Sequence, residues 1–167
     1  MPEDLSTILP ENFHPQSKVW IYQSNRTFRM GELFQIEELL ENFIANWKSH
    51  GAPVKGFGTI IYGQFIILMA DETQTGVGGC STDSSVHVIK EVEKLCGVQM
   101  FHRELLAFWV KEKVETIPLS QVAYALENEL IQKDTLYFNN LVSTKEEMET
   151  KWMQPISESW LAAKYIK

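Results

Sequence analysis

Between residues 75 and 85 the chain reads Thr75-Gly76-Val77-Gly78-Gly79-Cys80-Ser81-Thr82-Asp83-Ser84-Ser85. Glycines, one thiol and a run of hydroxyl and carboxylate groups follow an apolar stretch, 65–70, and precede a segment, 86–96, with helical apolar spacing. Two chemistries use such a strand-to-helix turn. Main-chain N–H groups at a helix start attract anions, and glycine lets a ligand approach the chain closely. A thiol at that position has its thiolate stabilised, which makes Cys80 a candidate nucleophile. Its base would be His50, on the loop after the first expected helix, with Asp83 as orienting group and N–H groups near Ser81 as oxyanion donors. The plainer account is a turn capped by Ser81, Thr82 or Asp83, and it is favoured. Nucleotide phosphate fits poorly. No lysine lies between 75 and 85, Ser81 stands where a dinucleotide fingerprint needs glycine, and the Asp83 carboxylate would repel a phosphate.

A second cluster is Gln23-Ser24-Asn25-Arg26, with Arg29 nearby and His102-Arg103 further along the chain. Asn25, Arg26 and Arg103 carry amide and guanidinium donors suited to a carboxylate or phosphate. Pairing of Arg26 and Arg29 with Glu32 and Glu104 is the structural alternative. A ligand would therefore be contacted either by Gly79, Cys80, Ser81, Asp83 and Ser84, or by Asn25, Arg26 and Arg103.

These residues need elements to hold them. Residues 18–24 read as a strand and 31–49 as an amphipathic helix, with Leu33, Ile36, Leu40, Phe43, Ile44 and Trp47 on one face. Gly51 and Pro53 stop that helix. Strands are expected at 58–62 and 65–70, joined at Gly63-Gln64, then a helix at 86–96 and a strand within 101–111. That order predicts an α+β fold with a ferredoxin-like βαββαβ core over 18–111, a single four-stranded antiparallel sheet. Its first and third strands run antiparallel, which sets the arginine cluster and the glycine loop at opposite ends. A helical extension over 116–167 covers the open sheet face. Pro118 opens its first helix, Ser143 and Glu146 form a capping box, and Pro155 stops the helix after them. A homodimer through the same face is the competing arrangement. The whole chain, 1–167, reads as one domain.

With 167 residues, 44% of them apolar, the chain can bury about 70% of its unfolded surface without staples. Its formal charge of −7 disfavours nucleic acid and anionic membranes as partners. The N-terminus lacks a signal-peptide pattern and no apolar run spans a bilayer, so the expected location is cytoplasmic. The two cysteines would sit at opposite ends of one helix, roughly 24 Å apart, too far for a disulfide. No Cys/His set has metal-ligand spacing, and no cofactor is expected.

Tyr22-Gln23-Ser24-Asn25-Arg26, the run from Gly79 to Ser85 and Phe101-His102-Arg103 together resemble a group of small bacterial proteins of unknown function, some labelled ABC transporter ATPases. The resemblance covers most of 18–110 and implies no catalytic residues. ATP hydrolysis of the ABC type is rejected on the residues themselves, since the Walker A lysine and a full signature are missing. The expected function is a non-catalytic domain that binds a small anionic ligand or a protein partner. The alternative is a cysteine-dependent enzyme using Cys80 and His50.

Overall fold

The structure, a computed structural model, describes residues 2, 4–49, 51–71 and 79–166, with the backbone alone for 79–81. The first half runs β1 (Lys18–Gln23), α1 (Met30–Asn46), the short pair β2 (Lys48–Ser49) and β3 (Ala52–Pro53), β4 (Lys55–Ile61), β5 (Phe65–Asp71) and α2 (Gly79–Cys96). β1, β5 and β4 form an antiparallel sheet in that order, with Gln23 opposite Phe65 and Ile61 opposite the same residue. All of β5 is buried. Its unbroken apolar run, without polar alternation, is what a strand covered on both faces requires.

One face of this sheet meets the two long helices. Ile66 and Leu68 pack with Ile36 and Leu40 of α1 and Ile89 and Val92 of α2. On that face Gly56 of β4 is obligatory, because a Cβ there would lie 2.7 Å from the indole of Trp47. The opposite face carries Phe65, Ile67 and Met69, and it is covered by a second sheet.

That second sheet comes from the other half: β6 (Leu105–Val110), β7 (Lys113–Pro118), α3 (Val122–Glu127), β8 (Leu136–Phe138), α4 (Lys145–Lys151), β9 (Met153–Pro155) and α5 (Trp160–Tyr165). The strand order is β7-β6-β8-β9, antiparallel throughout. Ala107 and Phe138 face the first sheet. Leu106, Phe108 and Tyr137 face away, onto Val122, Ala125 and Leu161. The described residues therefore stack as helices, sheet, sheet and helices, each sheet burying both faces.

The α+β class is as expected, and so are the first three strands and their order. The single four-stranded ferredoxin-like sheet is not formed. Its intended fourth strand, β6, bonds on one side to β7 and on the other to β8, leaving no edge for β1. The extension over 116–167 is helical only in part, since β8, β9 and the end of β7 build the second sheet. The N-cap of α4 is Thr144, one residue past the expected Ser143. Its hydroxyl accepts the Glu147 N–H at 3.1 Å. The segment before β1 belongs to the core as well, with Leu5, Leu9 and Phe13 buried beside Phe65, Phe138 and Trp152. Two anchors hold it there: the His14 N–H donates to Asp71 Oδ2 at 3.1 Å, and Lys145 Nζ donates to the Phe13 carbonyl at 3.0 Å. Among the described residues no helix is long and apolar enough to cross a membrane.

Candidate functional site

The glycine turn lies mostly outside the described residues, 72–78 and His50 among them. The backbone of Gly79, Cys80 and Ser81 forms the first turn of α2, which thus begins well before residue 86, but their side chains also lie outside the described set. A pairing of Cys80 with His50 is therefore not placed. Cys80 and Cys96 do belong to one helix of 18 residues, roughly 27 Å long, so a disulfide within the chain is excluded. Asp83 is exposed on α2 and, with Ser84, lines a groove of about 620 Å³ between α1 and α2. No group of three or more potential metal-binding side chains occurs among the described residues.

The arginine end resolves into structure. Arg26 Nη1 and Nη2 each donate to a Glu32 carboxylate oxygen at 2.8 Å, and the remaining contacts go to the carbonyls of Thr27 (3.1 Å) and Cys96 (2.7 Å). The side chain thereby ties the exit of β1 to the start of α1 and the end of α2. Glu32 also accepts the Arg29 N–H at 2.7 Å, the carboxylate arm of a capping box that the acceptor-less Arg29 cannot reciprocate. Asn25 is committed too. Its Oδ1 accepts the Gln99 N–H at 2.8 Å and its N–H donates to the Gln99 carbonyl at 3.0 Å. The Arg26 guanidinium and the Asn25 Oδ1 and N–H are thus engaged within the fold, and this end sits a helix length from the start of α2.

The Arg26 guanidinium, followed by the Arg29 N–H, holds the Glu32 carboxyl down to about 2, against 4.5 ordinarily. A depressed carboxyl stabilises the fold above its unfolded value, and that contribution is lost as pH falls toward 2. Glu32→Gln is expected to be less stable than the parent at pH 7 and equal to it near pH 2. Denaturant titrations across that range check this; parallel stability curves for the two proteins would refute it.

Arg103 has a different setting. α2 ends on Gly97, whose φ of +65° suits the left-handed position past a helix, with its N–H bonded to the Glu93 carbonyl. The chain then crosses the mouth of β1. Glu93 Oε2 accepts the Met100 N–H at 2.9 Å, and Phe101 meets the Tyr22 ring edge-on at 5.7 Å. These contacts set His102 and Arg103 on the wall of a cleft of about 380 Å³ where β1 meets β6 and β8. Neither side chain makes a hydrogen bond or ion pair among the described residues.

A polar chain forms another wall of the cleft. Trp152 Nε1 donates to Asn140 Oδ1 at 2.9 Å, Asn140 Nδ2 donates to Gln23 Oε1 at 3.0 Å, and Gln23 Nε2 donates to the Leu105 carbonyl at 2.9 Å. Opposite, Trp160 Nε1 donates to the Tyr137 hydroxyl at 3.0 Å. Burial pushes the phenols of Tyr137 and Tyr22 upward, so both stay neutral donors. The rim is apolar and open: Leu141 is 79% exposed, Trp160 43% and Phe101 39%.

The floor includes main chain. Val19 N–H bonds to the Ser143 carbonyl, away from β5, so by strand alternation Ile21 also turns its N–H and C=O away from β5. No backbone group meets Ile21 on that side among the described residues. The cleft therefore offers a cation, free main-chain groups and aromatic walls together. Sequence reasoning singled out Arg103 but missed Gln23 as a positioned amide, Asn140, Tyr137 and Trp160. The last three come from the region expected to be a helical cover, and nothing in their local spacing joins them to residue 103. Comparison with family models, with curated proteins and with solved structures finds no match to this chain.

Proposed function

We propose that this chain is a non-catalytic binding domain whose ligand is a small carboxylate with an apolar or aromatic body, held in the cleft between β1, β6 and β8. The observation that carries this reading is Arg103. On a chain of net charge −7, this guanidinium lines an apolar-rimmed cleft and has no carboxylate partner among the described residues. A guanidinium pairs with a carboxylate through two parallel hydrogen bonds, and the strength of that pair rises as an apolar wall excludes water. Trp160, Phe101 and Leu141 supply such a wall, and the Ile21 N–H is a further donor at its base. A concave, mostly apolar recess with a few convergent polar groups is the usual form of a small-molecule site.

The test is a thermal-shift and NMR titration with 3-phenylpropionate and indole-3-acetate, beside their neutral amides and inorganic phosphate. The carboxylates are expected to raise the melting temperature saturably, since a ligand at 100 times its Kd adds about 2.7 kcal/mol. The amides are expected to bind far more weakly. Equal responses to acids and amides, or none to either, would overturn the reading.

A further inference from the structure

The first sheet ends at an edge with unusual properties. β5 directs the main chain of Ile66 and Leu68 to β1, and that of Phe65, Ile67 and Met69 to β4. Their partners in β4, Phe57, Thr59 and Ile61, therefore face inward. Gly56, Gly58 and Ile60 turn their N–H and C=O groups outward, and no backbone group meets them there among the described residues. The pairing of β4 with β5 runs without a bulge from Lys55 to Ile61, and β4 contains no proline. Edge strands of this length ordinarily carry such devices against further pairing.

The same strand borders a groove of about 500 Å³ beneath α1. Gly56 and Gly58 line it and let α1 close onto the strand: a Cβ would lie 3.3 Å from Ile44 at Gly56 and 3.6 Å from it at Gly58. Glu37 and Glu41 of α1 are exposed and line the groove, and neither forms an ion pair among the described residues. They stand one helical turn apart, about 6 Å along the axis. Alternate residues of an extended strand are about 6.6 Å apart. A strand laid against β4 would thus present side chains at close to the spacing of these two carboxylates.

We propose that β4 accepts an extended peptide with basic side chains at alternate positions, which adds a strand to the sheet and places those side chains against Glu37 and Glu41. Main-chain hydrogen bonds to Gly56, Gly58 and Ile60 provide the register, and the carboxylates select the partner. A second copy of this chain is the poorer occupant, because β4 against β4 would bring two sets of Glu37 and Glu41 together.

The probe is a fluorescein-labelled heptapeptide alternating lysine and threonine, capped at both ends and titrated at low ionic strength by anisotropy. Saturable binding is expected, with the glutamate-for-lysine peptide inactive. Because Glu37 and Glu41 are exposed, the Glu37→Lys, Glu41→Lys double variant folds normally by circular dichroism and weakens binding at least about tenfold. N-methylating one of the two alternate sets of peptide amides abolishes binding, and methylating the other leaves it intact. Three results would overturn the proposal: no binding, insensitivity to both methylated sets, which marks a diffuse charge attraction, or a stable dimer in sedimentation that excludes the peptide.

Discussion

Trp152→Ala is expected to lower the unfolding free energy by about 3–5 kcal/mol, a large share of the roughly 5–15 kcal/mol that holds a domain together. The indole is fully buried between the two sheets. It lies 5.0 Å from the Phe138 ring, 5.1 Å from Phe65 and 6.2 Å from Tyr62, centroid to centroid. Those partners come from both sheets and from the β4–β5 turn, so the cavity has no single element able to collapse into it. The loss should appear as a lower denaturant midpoint. Trp152→Phe separates packing from hydrogen bonding. It keeps a ring in place but strands Asn140 Oδ1, for an expected cost of about 1–3 kcal/mol. Because Asn140 is the support of Gln23, that variant should also weaken carboxylate binding in the cleft. A Trp152→Ala protein within 1 kcal/mol of the parent would show that the sheets do not pack as described.

Arg103→Ala is expected to reduce affinity for 3-phenylpropionate by roughly 10- to 150-fold, the equivalent of one charge-assisted hydrogen-bonded pair worth about 1.5–3 kcal/mol. Arg103→Lys should recover only part of this, since an ammonium lacks the planar fork that meets both carboxylate oxygens. Unfolding should hardly change in either variant, because Arg103 makes no ion pair among the described residues. Arg26→Ala is the informative contrast. Its donors bind Glu32 and the Cys96 carbonyl, so its removal should lower stability and leave ligand affinity near that of the parent. Ligand affinity lost with Arg26 and kept without Arg103 would place the site at the other arginine.

The contrast between these two arginines shows where local sequence stops being informative. Both stand beside strand ends, and both carry the same donors. Glu32, six residues along in the first turn of α1, is close enough to claim Arg26, and that pairing was legible as an alternative. The freedom of Arg103 depends on where the second sheet leaves Tyr137, Asn140 and Trp160, which are separated from it by more than thirty residues.

The same division holds for the fold. Residues 18–71 carried their own signals: an amphipathic period for α1, an unalternating run for β5, and Gly63 at the tight turn between β4 and β5. The β6–β7 hairpin carried none. Its two-residue turn is Lys111-Glu112, both with positive φ (52° and 62°), where the favoured residues are Asn and Gly. Short strands such as β8 and β9, three residues each, have too few positions to display an alternation. They are strands because β6 supplies an edge for β8 and β8 supplies one for β9.

By itself, then, the sequence determined the α+β class, the order of β1, β5 and β4, the helices over one face, and the acidity of the chain. Periodicity and capping act over a few residues, and these features answer to them. Only the tertiary structure decided that β6 turns from β1 to found a second sheet, and that Arg103 faces a cleft rather than a carboxylate. Both depend on which distant edge or side chain arrives first to satisfy a hydrogen bond, and that competition is settled in space.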